Sequence, residues 1–172
     1  MSDDTLLQRM HDGAARLAAT RPGVVEGAPW PLAERFDDAP EASWGPPEVL
    51  AHVAEMIPYW QGEMERILAG PAAGSTDPVP FGRVATDPNR LGILERDRTL
   101  PPGELYDRID HAIERFGRRL ATLTDADRTR VGIHPRRGEM AIPQIADAFV
   151  VSHLADHAVQ LEGILGLGPM ES

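Results

Sequence analysis

Two histidines four residues apart, His153 and His157, stand inside a largely apolar run from Ile142 to Leu165. On a helix, side chains at i and i+4 share a face, with Cβ atoms about 5–6 Å apart. At about 100° per residue, Ile142, Ala146, Phe149, Val150, His153, His157, Leu161 and Ile164 form one stripe, with both imidazoles near its middle. Gln144, Asp147 and Glu162 fall on the opposite side. A buried neutral imidazole must satisfy two ring nitrogens, and an unmet one costs about 1–3 kcal/mol. Two chemistries answer that need. One is a shared metal ion taking a nitrogen from each ring at about 2.0–2.1 Å. The other is a pair of core histidines bonded to facing helices. The spacing leaves both open.

The other histidines are scattered. His52 lies about 90° to one side of an apolar stripe, with Glu55, Tyr59 and Glu63 near it, an edge position that can face a cleft. His134 precedes Pro135 in a polar stretch with Arg136 and Arg137; it reads as a surface loop that could reach the mouth of a site, its arginines able to meet a carboxylate. His11 reads as structural and His111, beside Asp110, as exposed.

Composition removes many alternatives. The 172 residues suffice for one domain with a substantial core, expected to span 1–172. All 17 basic residues are arginine, against 27 acidic ones, for a formal charge of −10. An acidic chain with no basic cluster argues against nucleic acid or an anionic membrane as partner. No apolar run has the length of a membrane span, and the acidic start Met1-Ser2-Asp3-Asp4-Thr5 lacks a signal-peptide core, so a cytoplasmic location is expected. Without cysteine there is no disulfide, thiolate nucleophile or Cys-ligated metal; without lysine there is no Schiff base. Catalysis, if present, falls to His, Asp, Glu, Tyr, Ser, Thr, Arg or a metal.

The elements that must position these groups are helical. Leu6, Leu7, Met10, Ala14, Leu17 and Ala18 predict a first helix from Asp3 to about Thr20. Residues 21–44 hold Pro22, Gly23, Gly27, Pro29, Pro31 and Pro40 and read as irregular. Trp30 and Phe36 suggest that this loop packs over an end of the bundle. A second helix opens at Pro46 or Pro47 and runs from Glu48 to about Ala69 on Val49, Val53, Met56, Ile57, Trp60, Met64 and Ile67, with a kink expected at Pro58. Residues 70–102 form a long Gly- and Pro-rich link, with one short helix capped by Asp87, opened by Pro88 and ending near Arg96. Such a link can cross a whole bundle. A third long helix follows from Glu104 to about Leu123, then a polar loop over 125–141, then the histidine helix, opened by Pro143 and stopped by Gly166, Gly168 and Pro169. The class is all-α, most simply a four-helix bundle with long connecting loops.

Two segments carry a family resemblance. Ser43-Trp44-Gly45-Pro46-Pro47-Glu48-Val49-Leu50-Ala51-His52-Val53-Ala54-Glu55 resembles the His-bearing helix of the DinB/YfiT-like superfamily, which includes bacillithiol- and mycothiol-dependent transferases. The loop His134-Pro135-Arg136-Arg137-Gly138-Glu139-Met140 with the helix Ser152-His153-Leu154-Ala155-Asp156-His157-Ala158-Val159-Gln160-Leu161 is similar to that family's loop and HxxxH helix. The resemblance implies an up-down-down-up bundle. It implies three metal ligands, His52, His153 and His157, holding a divalent ion such as zinc or nickel. The related maleylpyruvate isomerases have glutamate where this chain has His153, which places the chain nearer the DinB-like branch.

Three neutral imidazoles would leave an ion its full charge and an open position, able to acidify water toward a pKa of about 7 or to hold a low-molecular-weight thiol as thiolate. With no cysteine in the chain, that thiol must come from outside. The expected function is therefore a metal-dependent S-transferase or hydrolase acting on a small molecule, with a non-enzymatic metal- or ligand-binding stress-response bundle as the alternative. Spacing nominates Gln160 and Asp156 to orient a ligand's other nitrogen, and Glu55 to do so or to act as a base. A homodimer is also expected, since family members often pair and the link carries apolar residues.

Overall fold

The computed structural model describes residues 3–34, 41–71 and 77–167. The first long helix, α1, spans Asp3–Glu26, six residues past the expected end near Thr20. The Pro22-Gly23 break signal is overridden by packing: Val24 is fully buried, and Gly23 lies against the Leu165 side chain at the far end of the chain. A 3₁₀ turn, Glu41–Ser43, leads into α2, Pro46–Ala69. Pro46 and Pro47 occupy the first turn, where missing N–H groups cost nothing, and the helix continues through Pro58. Helix α3, Pro88–Asp97, begins as expected: the Asp87 carboxylate accepts from the Arg90 backbone N–H at 3.0 Å. Helix α4, Pro102–Ala121, is the third long one.

The polar loop expected over 125–141 is instead structured. It holds a short helix, α5, Asp125–Arg128, and an antiparallel hairpin of β2, Val131–His134, and β3, Gly138–Ala141. A two-residue strand β1, Val79–Pro80, adds in parallel to β2. The hairpin closes through Pro135, Arg136 and Arg137, with Gly138 at φ +72°, a conformation that favours glycine at this turn. Sequence patterning misses β2 because its alternation is inverted. Val131 and Ile133 face solvent, while Gly132 and His134 face inward.

The last helical body is one rod in three parts: α6, Ile142–Ala146; a π-helical stretch, Asp147–Val151; and α7, Ser152–Ile164. The single stripe expected along it does not hold. Ile142, Ile145, Ala146, Phe149 and Val150 are buried in its first half, and Leu154, His157, Ala158 and Leu161 in its second. Those two sets are offset by about 100°, one residue, which is what a π turn inserts. Ile164 is accordingly exposed, and His153 lies at the edge of the buried stripe. Gly166 takes positive φ at the stop; Gly168 and Pro169 lie outside the described residues, as does Phe36.

Cross-helix contacts give the helix directions. Arg9 meets Ser152 and Arg16 meets Glu162, so α1 and α7 are parallel. Gln61 meets Arg115 and Glu65 meets Arg119, so α2 and α4 are parallel. Thr20 bonds Tyr106 while Met10 lies against Gly117, so α1 and α4 are antiparallel. The order is up-down-down-up, as the family resemblance implied. The link with α3 returns the chain along the bundle between the two parallel helices. It is held by a buried glutamate in the first turn of α2: Glu48 Oε1 accepts from the Ala33 N–H and from Arg98.

Candidate metal centre

His52 from α2 and His153 and His157 from α7 converge in space, each pair of rings within about 5 Å between centroids. The carboxylate of Glu41, from the 3₁₀ turn before α2, completes a group whose ligand atoms all lie within 4.8 Å of one another. His52 is buried and not at an exposed edge; His157 is buried, and the His153 side chain is 31% exposed. Trp44 stands edge-on to His52, giving the cluster one apolar wall.

The best-prepared arm is His157. Gln160 donates from its amide nitrogen to the Glu41 backbone carbonyl at 2.7 Å and approaches that of Trp44 at 3.4 Å. That orientation turns Gln160 Oε1 to His157 Nδ1, 2.9 Å away, so Nδ1 carries the proton and donates. Nε2 is therefore a bare lone pair. It is buried without a hydrogen-bond partner, and the Glu41 carboxylate lies 3.9 Å off. A buried nitrogen of this kind is costly unless something accepts its lone pair. Burial, reinforced by His153, drops the His157 pKa to about 4.

His52 is held well below its usual pKa by burial first, then by His157, His153 and Arg90. Its Nε2 is 3.0 Å from His153 Nε2. Two nitrogens on one ion at about 2.0–2.1 Å, at angles from square to tetrahedral, lie roughly 2.8–3.4 Å apart, so this separation suits a shared ion. Arg90 Nη2 makes a long contact of 3.4 Å to His52 Nδ1. For Nε2 to coordinate, the ring proton must sit on Nδ1, which leaves Arg90 to the Glu41 carboxylate, 2.8 Å away, and the Ala85 carbonyl, 2.9 Å away. Burial raises the Glu41 pKa, but the His153 contact and the neighbouring His153, His157 and Arg90 side chains outweigh it and hold it below the usual carboxylate value. Three imidazoles and one carboxylate are a donor set suited to zinc, nickel and similar divalent ions.

Other nominated residues lie elsewhere. Glu55 faces Arg83, whose guanidinium also stacks 3.6 Å over Tyr59; its carboxylate is not one of the four clustered groups. Asp156 lines the open side of the cluster without bonding a ring nitrogen of it. His134 is neither a surface residue nor part of the cluster. It is buried among Trp60, Phe81 and Phe149, and its Nδ1 accepts from the Arg136 N–H at 3.2 Å. Burial, then Arg137 and Arg136, lowers its pKa. Glu41 escaped the sequence reading, because it sits among prolines outside any periodic segment; its one signal was an acidic residue shortly before the helix that carries His52.

A cleft of about 200 Å³ opens beside His52 and His153, lined by Arg83, Arg90 and Arg137 and by Trp60 and Phe149. The cluster thus has an approach for a small molecule.

No family model matches the chain, and no curated protein matches it. Among solved structures the chain is similar to YfiT from Bacillus subtilis, described as a probable metal-dependent hydrolase with an unusual four-helix bundle topology. The match has a TM-score of 0.64 and 20% identity, over 96% of this chain and 90% of that one. At that identity the likeness is one of fold.

Proposed function

We propose that this protein is a metal-dependent enzyme of the DinB-like kind, acting on a small molecule as a hydrolase or as a transferase that uses an external thiol. The observation that carries the reading is the buried, unpartnered Nε2 of His157, aimed into a group of two further imidazoles and a carboxylate. The fold likeness to a protein described as a probable metal-dependent hydrolase supports it.

In this reading His52, His153 and His157 would hold the ion, and imidazole donors suit zinc and nickel among others. A divalent ion supplies Lewis acidity there, acidifying water or a thiol brought to it. Glu41, not needed as a ligand beside three imidazoles, would accept a proton at Oε2, the oxygen 3.4 Å from His153 Nε2, while Arg90 holds the other oxygen. Gln160 keeps the His157 proton on Nδ1. Glu55, nominated by spacing as a base, acts instead by positioning Arg83 at the cleft. The chain's lack of cysteine means that either nucleophile comes from solution.

The test is turnover by metal-loaded protein of activated esters, and of an electrophile with a low-molecular-weight thiol, beside Glu41→Gln. Loss of a positioned proton acceptor lowers turnover by roughly 10²–10⁴-fold, and the variant is expected to keep its metal. Full activity in Glu41→Gln would refute its role, and no turnover with any such pair would favour a binding module over an enzyme.

A further inference from the structure

The cleft beside the cluster is electropositive in a protein whose formal charge is −10. Three guanidinium groups line it, Arg83, Arg90 and Arg137. Two are committed: Arg83 to Glu55, and Arg90 to Glu41. Arg137 differs. It sits in the β2–β3 turn, its guanidinium 4.8 Å from the centre of the Phe149 ring, and it meets no carboxylate among the described residues. Against Glu41 and Glu55 the cleft carries one uncompensated positive charge before any metal ion is counted. Phe149, stacked on Trp60 at 4.0 Å between centroids, gives Arg137 an apolar neighbour that excludes water from one side.

We infer that the small molecule this site acts on is a carboxylic acid, its carboxylate received by Arg137 and its apolar part lying toward Phe149 and Trp60. A planar guanidinium fork matches a carboxylate with two parallel bonds. The cleft volume of about 200 Å³ lies below the roughly 300–1,000 Å³ of pockets that take drug-sized ligands, which sets the size class. The acid's reacting group then reaches toward His52 and His153, which line the same cleft. The role of the acid as substrate rests on the metal-dependent reading above; its binding does not, because Arg137 needs no ion.

The experiment is a calorimetric titration with benzoate and with its neutral isostere benzamide, at fixed ionic strength. It uses wild type, Arg137→Leu and Arg136→Leu, each metal-loaded and metal-free, with metal content measured on the same samples. Arg137 is on an exposed turn, so neither variant threatens the fold. Benzoate is expected to bind at least about tenfold more tightly than benzamide in both metal states. Arg137→Leu should remove most of that preference and Arg136→Leu, which does not line the cleft, should keep it. Equal binding of the two probes would overturn the inference, and so would an equal loss in both variants, which would mean bulk charge only. A protein that takes up no metal yet shows the Arg137-dependent preference would remove the metal-dependent reading and leave this one standing. Metal uptake without the preference would do the reverse.

Discussion

At the scale of single residues, the site depends on which ring nitrogen carries a proton. Gln160 has its amide nitrogen committed to backbone carbonyls, so it cannot flip, and His157 is locked with Nε2 bare. Partners that orient a ligand in this way are worth about 10–100-fold in metal affinity. Gln160→Leu is therefore expected to weaken metal binding by that factor without unfolding the protein, measured by competition with a chromophoric chelator. The depressed histidines also set a pH dependence. In the metal-free protein His157 titrates near 4, and His52 too lies well below its usual value. Between those values and about 6.5, the unfolded chain binds protons that the folded one does not. Stability is then fully present above about pH 6.5 and falls as the pH drops from there toward 4. Denaturation midpoints across that range check it, and His157→Gln should flatten the slope.

At the scale of elements, the decisive pieces are the π stretch and the hairpin. The His-x-x-x-His spacing was legible because it depends only on helical periodicity. The burial of each ring was not, because a π turn leaves no mark in a hydrophobic pattern and offsets the buried stripe by one residue. His153 is consequently turned to the cleft and His157 to the interior. The hairpin was illegible for a different reason: in β2 the inward positions are Gly132 and His134 and the apolar residues point out, which leaves Met140 of β3 as its buried apolar residue. Gly132 marks a close approach. A Cβ there would come within 2.5 Å of Ile67 Cδ1 and 2.7 Å of Phe81 Cδ1. Gly132→Ala is expected to cost about 1–3 kcal/mol by overpacking and to spare metal uptake, since the hairpin supplies none of the four clustered groups. Gly163→Ala, in α7 with open space around it, should shift stability the other way by about 0.5–1 kcal/mol. Paired urea denaturation curves would show whether the signs differ.

At the scale of the whole molecule, the up-down-down-up order makes α2 and α7 antiparallel neighbours and brings His52 against His153 and His157, 101 residues apart for the closest pair. Bundle order was implied by resemblance, and four amphipathic helices were plain from periodicity. The course of the segments between helices was not, because their positions are set by single polar anchors such as Glu48 with Arg98 and Arg90 with Glu41. One of those segments supplies Glu41, so the part of the site that periodicity could not reach is the part outside the long helices. Among the described residues no helix is long and apolar enough to cross a membrane. In a chain of formal charge −10, the arginines that line the cleft make it locally positive, the setting that the proposed carboxylate site requires.

The metal-dependent reading requires that His52, His153 and His157 hold one ion. Elemental analysis of protein purified without an affinity tag or chelator, then dialysed against zinc or nickel, tests it most directly, beside His52→Ala, His153→Ala and His157→Ala. About one ion per chain is expected in wild type and its loss from each variant, with helical content by circular dichroism largely retained. Wild type that takes up no ion, or variants that still hold one per chain, would contradict it.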